Sequence, residues 1–153
     1  MRPLTIVWQR LVTASGQTCD RCGLTLDSLQ RALATLKEVL APLHLEPTLE
    51  SVELTEYVFK AQPASSNRIL IAGRPLEEWL GGRAGSSRCC SVCGDAECRT
   101  VEVGEAVFEV IPAGLIIKAA LVAAAEMIEP TSGAAAQQRE ICSCAPTCRP
   151  EPT

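Results

Sequence analysis

The chain has 153 residues, enough for one domain with a buried core and a short extension. Its 47% hydrophobic content fits a globular fold, while a net charge of −4 and 3% aromatic residues leave neither a basic stripe nor a stacking platform for nucleic acid. No apolar stretch with a small-residue cleavage site opens the chain, and the longest apolar run, Leu115–Ile128, carries Lys118 and Glu126 and falls short of the ~20 residues of a membrane span.

Leu4 to Val12 is rich in β-branched residues and apolar on both faces, which predicts a strand in the middle of a sheet. Thr13 to Thr18, with Ser15 and Gly16, makes a loop that delivers Cys19 and Cys22 as TCDRCG. Leu26, Leu29, Leu33, Leu36, Leu40 and Leu43 then recur every three or four residues, an amphipathic helix whose stripe packs into the core and whose end is bracketed by Pro42 and Pro47. Leu49 to Thr55 alternates as a second strand, and Ile69 to Ile71 forms a third before the turn Ala72 to Pro75. Leu76 to Leu80 reads as one helical turn, and Gly81 to Ser87 as a flexible lead into the central cysteines. Thr100 to Val103 and Ala106 to Val110 pair as a hairpin around Gly104 and Glu105. Pro112 opens a last helix running to about Glu129, closed by Pro130. Residues 131–153 form a linker and a Cys/Pro tail without fixed structure, so the domain spans 1–130 with a cysteine-rich insert at 86–99.

Nine cysteines accompany a single histidine, and they fall into three clusters. In a reducing cytoplasm such thiols serve catalysis or metal binding rather than structural disulfides. Cys19 and Cys22 sit where strand gives way to helix. There the helix dipole and free N–H groups stabilise a thiolate, so Cys19 can attack and Cys22, one turn on, can resolve the mixed disulfide. Arg21 adds positive charge nearby, Asp20 opposes it, and Gly23 weakens the helix start. An equally weighted alternative pairs CDRCG with CSVCG as zinc knuckles, using Cys19, Cys22, Cys90 and Cys93. Cys89, Cys90, Cys93 and Cys98 place four thiols within ten residues. Adjacent Cys89 and Cys90 strain a shared tetrahedral site, so three of the four with Cys19 or Cys22 as the outside ligand are a consistent set. All-thiolate sites suit zinc, copper(I), an iron–sulfur cluster or arsenite. Cys142, Cys144 and Cys148 in the tail can capture a soft ion or reach back as resolving thiols. His44, at a helix end among Pro42, Leu43 and Leu45, reads as a surface or capping residue.

The strand with Trp8 and Leu11, the TCDRCG dithiol, SSNRILIAGRPLEEWL, CCSVCGDAECRTVEV and EVIPAGLIIKAAL together resemble an uncharacterised prokaryotic thioredoxin-like domain family over residues 4–125, with Arg99 and Thr100 after the cysteine cluster as its most specific part. The resemblance implies an α/β thioredoxin-like fold with Cys19 as nucleophile and Cys22 as resolving thiol. Thioredoxins place a cis-proline before the third strand, where this sequence has Ser66 or Asn67. The expected function is a cytoplasmic thiol–disulfide oxidoreductase acting through Cys19 and Cys22 on a protein or small-thiol partner. The alternative is a soft-metal or metalloid protein in which Cys89, Cys90, Cys93 and Cys98 hold the ion and the tail hands it on. A third, structural expectation is a zinc ion stapling the first loop to the insert.

Overall fold

Leu4, Ile6 and Trp8 alternate with Thr5, Val7 and Gln9 to make β1 (Arg2–Leu11) in the computed structural model, which describes residues 1–89 and 93–128. The first set is buried and the second half-buried, as expected of an interior strand with a dominant core face. β1 runs parallel to β2 (Leu45–Leu54) and antiparallel to β3 (Arg68–Ile71), which turns into β4 (Arg74–Pro75); the sheet order is β2-β1-β3-β4. The β3–β4 turn uses Ala72 at φ 49° and Gly73 at φ 81°, the pair of left-handed residues that a two-residue hairpin requires. β2 begins at Leu45, earlier than the alternation from Leu49 suggests. It lies at the sheet edge, where Pro47 removes no needed ladder donor, and the Arg2 N–H to His44 carbonyl bond of 2.9 Å extends the pairing.

The parallel β1–β2 pair requires a crossover, supplied by α1 (Asp20–Leu40). Leu29, Leu36 and Leu40 bury fully, with Ala32 between them, whereas Leu43 falls in a 3-10 turn beyond the helix and is exposed. α2 (Glu56–Ala61) was not foreseen; at six residues it is too short for periodicity to show, and its one signal is Thr55, whose Oγ1 accepts the Val58 N–H at 3.3 Å. α3 (Leu76–Trp79) is the expected single turn.

The stretch read as a flexible lead is instead largely a strand. β5 (Arg83–Arg88) pairs with β6 (Glu97–Val103), and β6 pairs with β7 (Ala106–Phe108), in a second antiparallel sheet. A Cβ on Gly82 would collide with the Glu102 carbonyl oxygen, and one on Gly85 with the Thr100 hydroxyl and the Glu102 carboxylate. Gly82 marks close approach of two backbones and Gly85 leaves room for the Thr100 and Glu102 side chains, roles that sequence cannot separate from looseness. The β6–β7 turn falls at Gly104 and Glu105 as expected, though β7 ends at Phe108. α4 (Ala113–Met127) starts after Pro112 and buries Ile116, Ala119, Ala120, Ala123 and Ala124. Among the described residues no helix is long and apolar enough to cross a membrane. α1 packs on α4 and on β2, and one continuous core joins both sheets through Trp8, Leu36, Val101, Ile111 and Ile116. The element order is β1-α1-β2-α2-β3-β4-α3-β5-β6-β7-α4 in a mixed α/β chain, the expected order with α2 added and the lead into the insert become β5. The expected tail, 131–153, lies outside the described residues.

Candidate thiol site

The dithiol is held at the carboxyl end of β1. Thr18 Oγ1 donates to the Leu11 carbonyl at 2.9 Å, which pins the loop, and Cys19 then takes the N-cap of α1 with extended backbone. Its Sγ accepts the Cys22 N–H at 3.5 Å, so a thiol occupies the place where Ser or Asp usually caps a helix. Gly23 does not break this start, since its N–H bonds the Cys19 carbonyl at 2.9 Å and α1 runs straight through it. Cys22 Sγ lies 3.7 Å from Ser66 Oγ, which accepts the Leu11 N–H at 3.3 Å. Asn67, at φ 57°, accepts from Trp8 Nε1 at 3.3 Å and donates to the Glu109 carbonyl at 3.2 Å. Ser66 and Asn67 thus occupy the loop facing the dithiol, both buried, and no peptide bond among the described residues is cis.

The insert brings three more sulfurs to the same place. The Sγ atoms of Cys19, Cys89 and Cys93 lie within 4.8 Å of one another, and Cys98 Sγ lies 3.1 Å from Cys93 Sγ. The first loop therefore gives one sulfur to this group rather than the two of a knuckle pair; Cys22 stays hydrogen-bonded to Cys19 and lies 3.7 Å from Ser66 Oγ, outside the group. Cys19, Cys22, Cys89, Cys93 and Cys98 form no disulfide among the described residues, and all but half-buried Cys89 are buried. Cys90, Cys142, Cys144 and Cys148 lie outside the described residues. His44 ends the 3-10 turn at the opposite end of the β1–β2 pair and contributes nothing here.

Two arginines fix the insert against the core. Arg21, in the first turn of α1, donates to the carbonyls of Cys98 (3.3 Å) and Arg88 (2.9 Å) and to Ser87 Oγ (3.0 Å), and pairs with Glu109 at 3.1 Å. Sequence reasoning gave it only a charge; its fork geometry makes it a strut between α1 and the ends of β5 and β6. Arg99, next to Cys98, pairs with buried Glu77 of α3 and donates to the Ala64 carbonyl at 2.9 Å. The motif residue Arg99 thereby anchors the insert to the segment that leads into Ser66.

The thiols hold different states. Hydrogen bonding from Cys22 first, then from Cys98, holds the Cys19 thiol far below the ordinary range, outweighing its burial. Cys22 is pushed well up, by its hydrogen bond to Cys19 and by burial. Burial chiefly raises Cys93, and the hydrogen bond to Cys19 followed by burial raises Cys98. Cys19 is thus favoured as the thiolate, while Cys22, Cys93 and Cys98 are pushed the other way, a set that can exchange disulfides or hold a soft metal ion. A groove of about 460 Å³ is lined by Thr18, Cys19, Asp20, Gly23, Leu24 and Asp27. A larger one of about 530 Å³, between the ends of β1 and β2 and the start of α2, contains no cysteine.

The family described as Domain of unknown function (DUF2703) matches residues 4–120, which include Cys19, Cys22, Cys89, Cys93 and Cys98 and exclude the tail cysteines. A protein of Archaeoglobus fulgidus, described as an uncharacterized protein, is 48% identical over 113 residues, covering 74% of this chain and 82% of that relative. No solved structure matches.

Proposed function

The chain belongs to the DUF2703 family, and from that premise we propose that it is a thiol–disulfide oxidoreductase of thioredoxin-like fold, working through Cys19 and Cys22 in a reducing compartment such as the cytoplasm. The observation that carries this reading is the placement of two thiols one helical turn apart at the end of β1: Cys19 caps α1 and accepts the Cys22 N–H at 3.5 Å, which favours its thiolate, while burial and the bond to Cys19 push Cys22 the other way. The sheet order β2-β1-β3-β4, with the dithiol at the end of interior strand β1, supports the fold assignment.

A disulfide substrate reaches Cys19 through the groove beside Asp20 and Asp27. The thiolate attacks one substrate sulfur, the second leaves as a thiolate and takes a proton, and a mixed disulfide forms. Cys22 then loses its proton and attacks Cys19 Sγ, releasing the first substrate sulfur as a thiol. The protein ends as a Cys19–Cys22 disulfide, oxidised by two electrons, and an external dithiol reductant returns it to the start. Ser66, 3.7 Å from Cys22, supports the charge that develops there on attack. The substrate class is a protein or small-molecule disulfide.

The test is single-turnover reduction of a small aromatic disulfide by the reduced protein. Cys19→Ser brings the rate to that of the remaining thiols, and Cys22→Ser accumulates a covalent adduct at Cys19 that mass spectrometry detects. An unchanged rate in Cys19→Ser overturns the reading.

A further inference from the structure

We propose that Cys19, Cys89 and Cys93 form a three-thiolate site for a soft ion of the zinc or trivalent-arsenic class, bridging the core and the insert. Cys19 comes from the N-cap of α1, Cys89 follows β5, and Cys93 lies in the insert, so residues seventy or more positions apart in sequence converge on one point. Three thiolates around one ion at a metal–sulfur distance of about 2.3 Å sit about 4 Å apart. Sulfurs already within 4.8 Å of one another need only a small contraction to reach that geometry. The group contains no carboxylate or imidazole, which selects soft ions over magnesium or calcium. Cys98 Sγ, 3.1 Å from Cys93 Sγ, stands ready as a fourth ligand for an ion that takes four.

Binding balances without a redox step. With arsenous acid, three As–S bonds replace three As–O bonds, and the three hydroxyls leave as water, with protons from the protonated thiols and, for the Cys19 thiolate, one from solvent. With zinc the thiol protons pass to solvent, and affinity falls with acidity. Cys22 takes no part, since its sulfur lies outside the group. Ion binding and disulfide exchange therefore compete for Cys19 and separate at Cys22 and Cys89.

Arsenite binding to the reduced full chain, with Cys142, Cys144 and Cys148 replaced by serine, tests the site by calorimetry. The expected result is one equivalent bound. Cys89→Ser, made alone and with Cys90→Ser, lowers affinity about tenfold or more, at least the loss seen for outer-shell partners of a metal. Cys22→Ser leaves it at the parent level. Circular dichroism verifies that each variant folds. Equal affinity in Cys89→Ser and the parent, or no binding in the parent, overturns the site. Exchange chemistry is read apart from this: Cys89→Ser still closes the Cys19–Cys22 disulfide under a diazene oxidant, and its failure to do so counts against the exchange reading rather than the ion site.

Discussion

At the scale of single residues, the buried Arg99–Glu77 pair tests what the insert's most specific motif is for. Arg99 and Glu77 are 7% and 4% exposed, and Arg99 Nε and Glu77 Oε2 have no hydrogen-bond partner among the described residues. Such a pair adds little net stability when intact, yet removing one partner strands a buried charge at about 3–5 kcal/mol. Glu77→Gln is therefore expected to lower the urea midpoint by a loss of about 3 kcal/mol or more, and Arg99→Met combined with Glu77→Leu to cost less than the two single changes summed. Equilibrium denaturation with an unchanged m-value checks this. Strict additivity would show that the two residues act independently, Arg99 then serving mainly through the Ala64 carbonyl. The sequence displayed Arg99 as part of a motif but gave no sign of its partner, because nothing local links β6 to a residue twenty-two positions earlier on α3.

At the scale of elements, Arg21 decides how the second sheet is seated. One guanidinium spans the Ser87–Cys98 and Arg88–Glu97 rungs of β5 and β6 and reaches Glu109 beyond β7. Hydrogen bonds to a charged group contribute about 1.5–3 kcal/mol each when buried. Arg21→Ala is thus expected to cost about 3 kcal/mol and to speed the reaction of Cys93 and Cys98 with a thiol reagent in the native protein. Arg21→Lys should fall between, because a compact ammonium lacks the planar fork that reaches Cys98, Ser87, Arg88 and Glu109 together. Thiol-release kinetics under native conditions, compared with the melting curve, check both halves, and unchanged thiol kinetics in Arg21→Ala would remove its role as a strut. The main elements were legible because their signals are local: alternation in β1, the leucine spacing of α1, Pro112 ahead of α4. β5 was not, since its glycines and serines carry no pattern and only the proximity of β6 explains them. The clusters of thiols were plain in the sequence, whereas the choice of Cys19 over Cys22 as the sulfur shared with the insert depends on the loop of Ser66.

At the scale of the whole molecule, the two sheets share one buried core. Val101 of β6 and Ile111 after β7 belong to the same buried cluster as Trp8, Leu36 and Ile116, and the Ile111 N–H donates to Thr25 Oγ1 of α1 at 3.3 Å. An insert with a core of its own would open before the rest; one that shares the core unfolds with it. The protein offers independent probes for this. Its two tryptophans, Trp8 and Trp79, both report on the four-stranded part, with Trp79 Nε1 bonded to the Ile71 carbonyl at 2.9 Å. Cys93 and Cys98, both buried, report on the insert. Tryptophan fluorescence and thiol accessibility are therefore expected to follow one transition with a common midpoint in guanidinium, in the reduced, ion-free protein. Arg21→Ala should pull the thiol curve to lower denaturant while the tryptophan curve moves less, since it loosens the seating of the insert and leaves β1 and β3 intact. If the thiol transition already precedes the tryptophan transition in the unaltered chain, the shared cluster does not couple the sheets, and Cys19 would meet the insert sulfurs only part of the time.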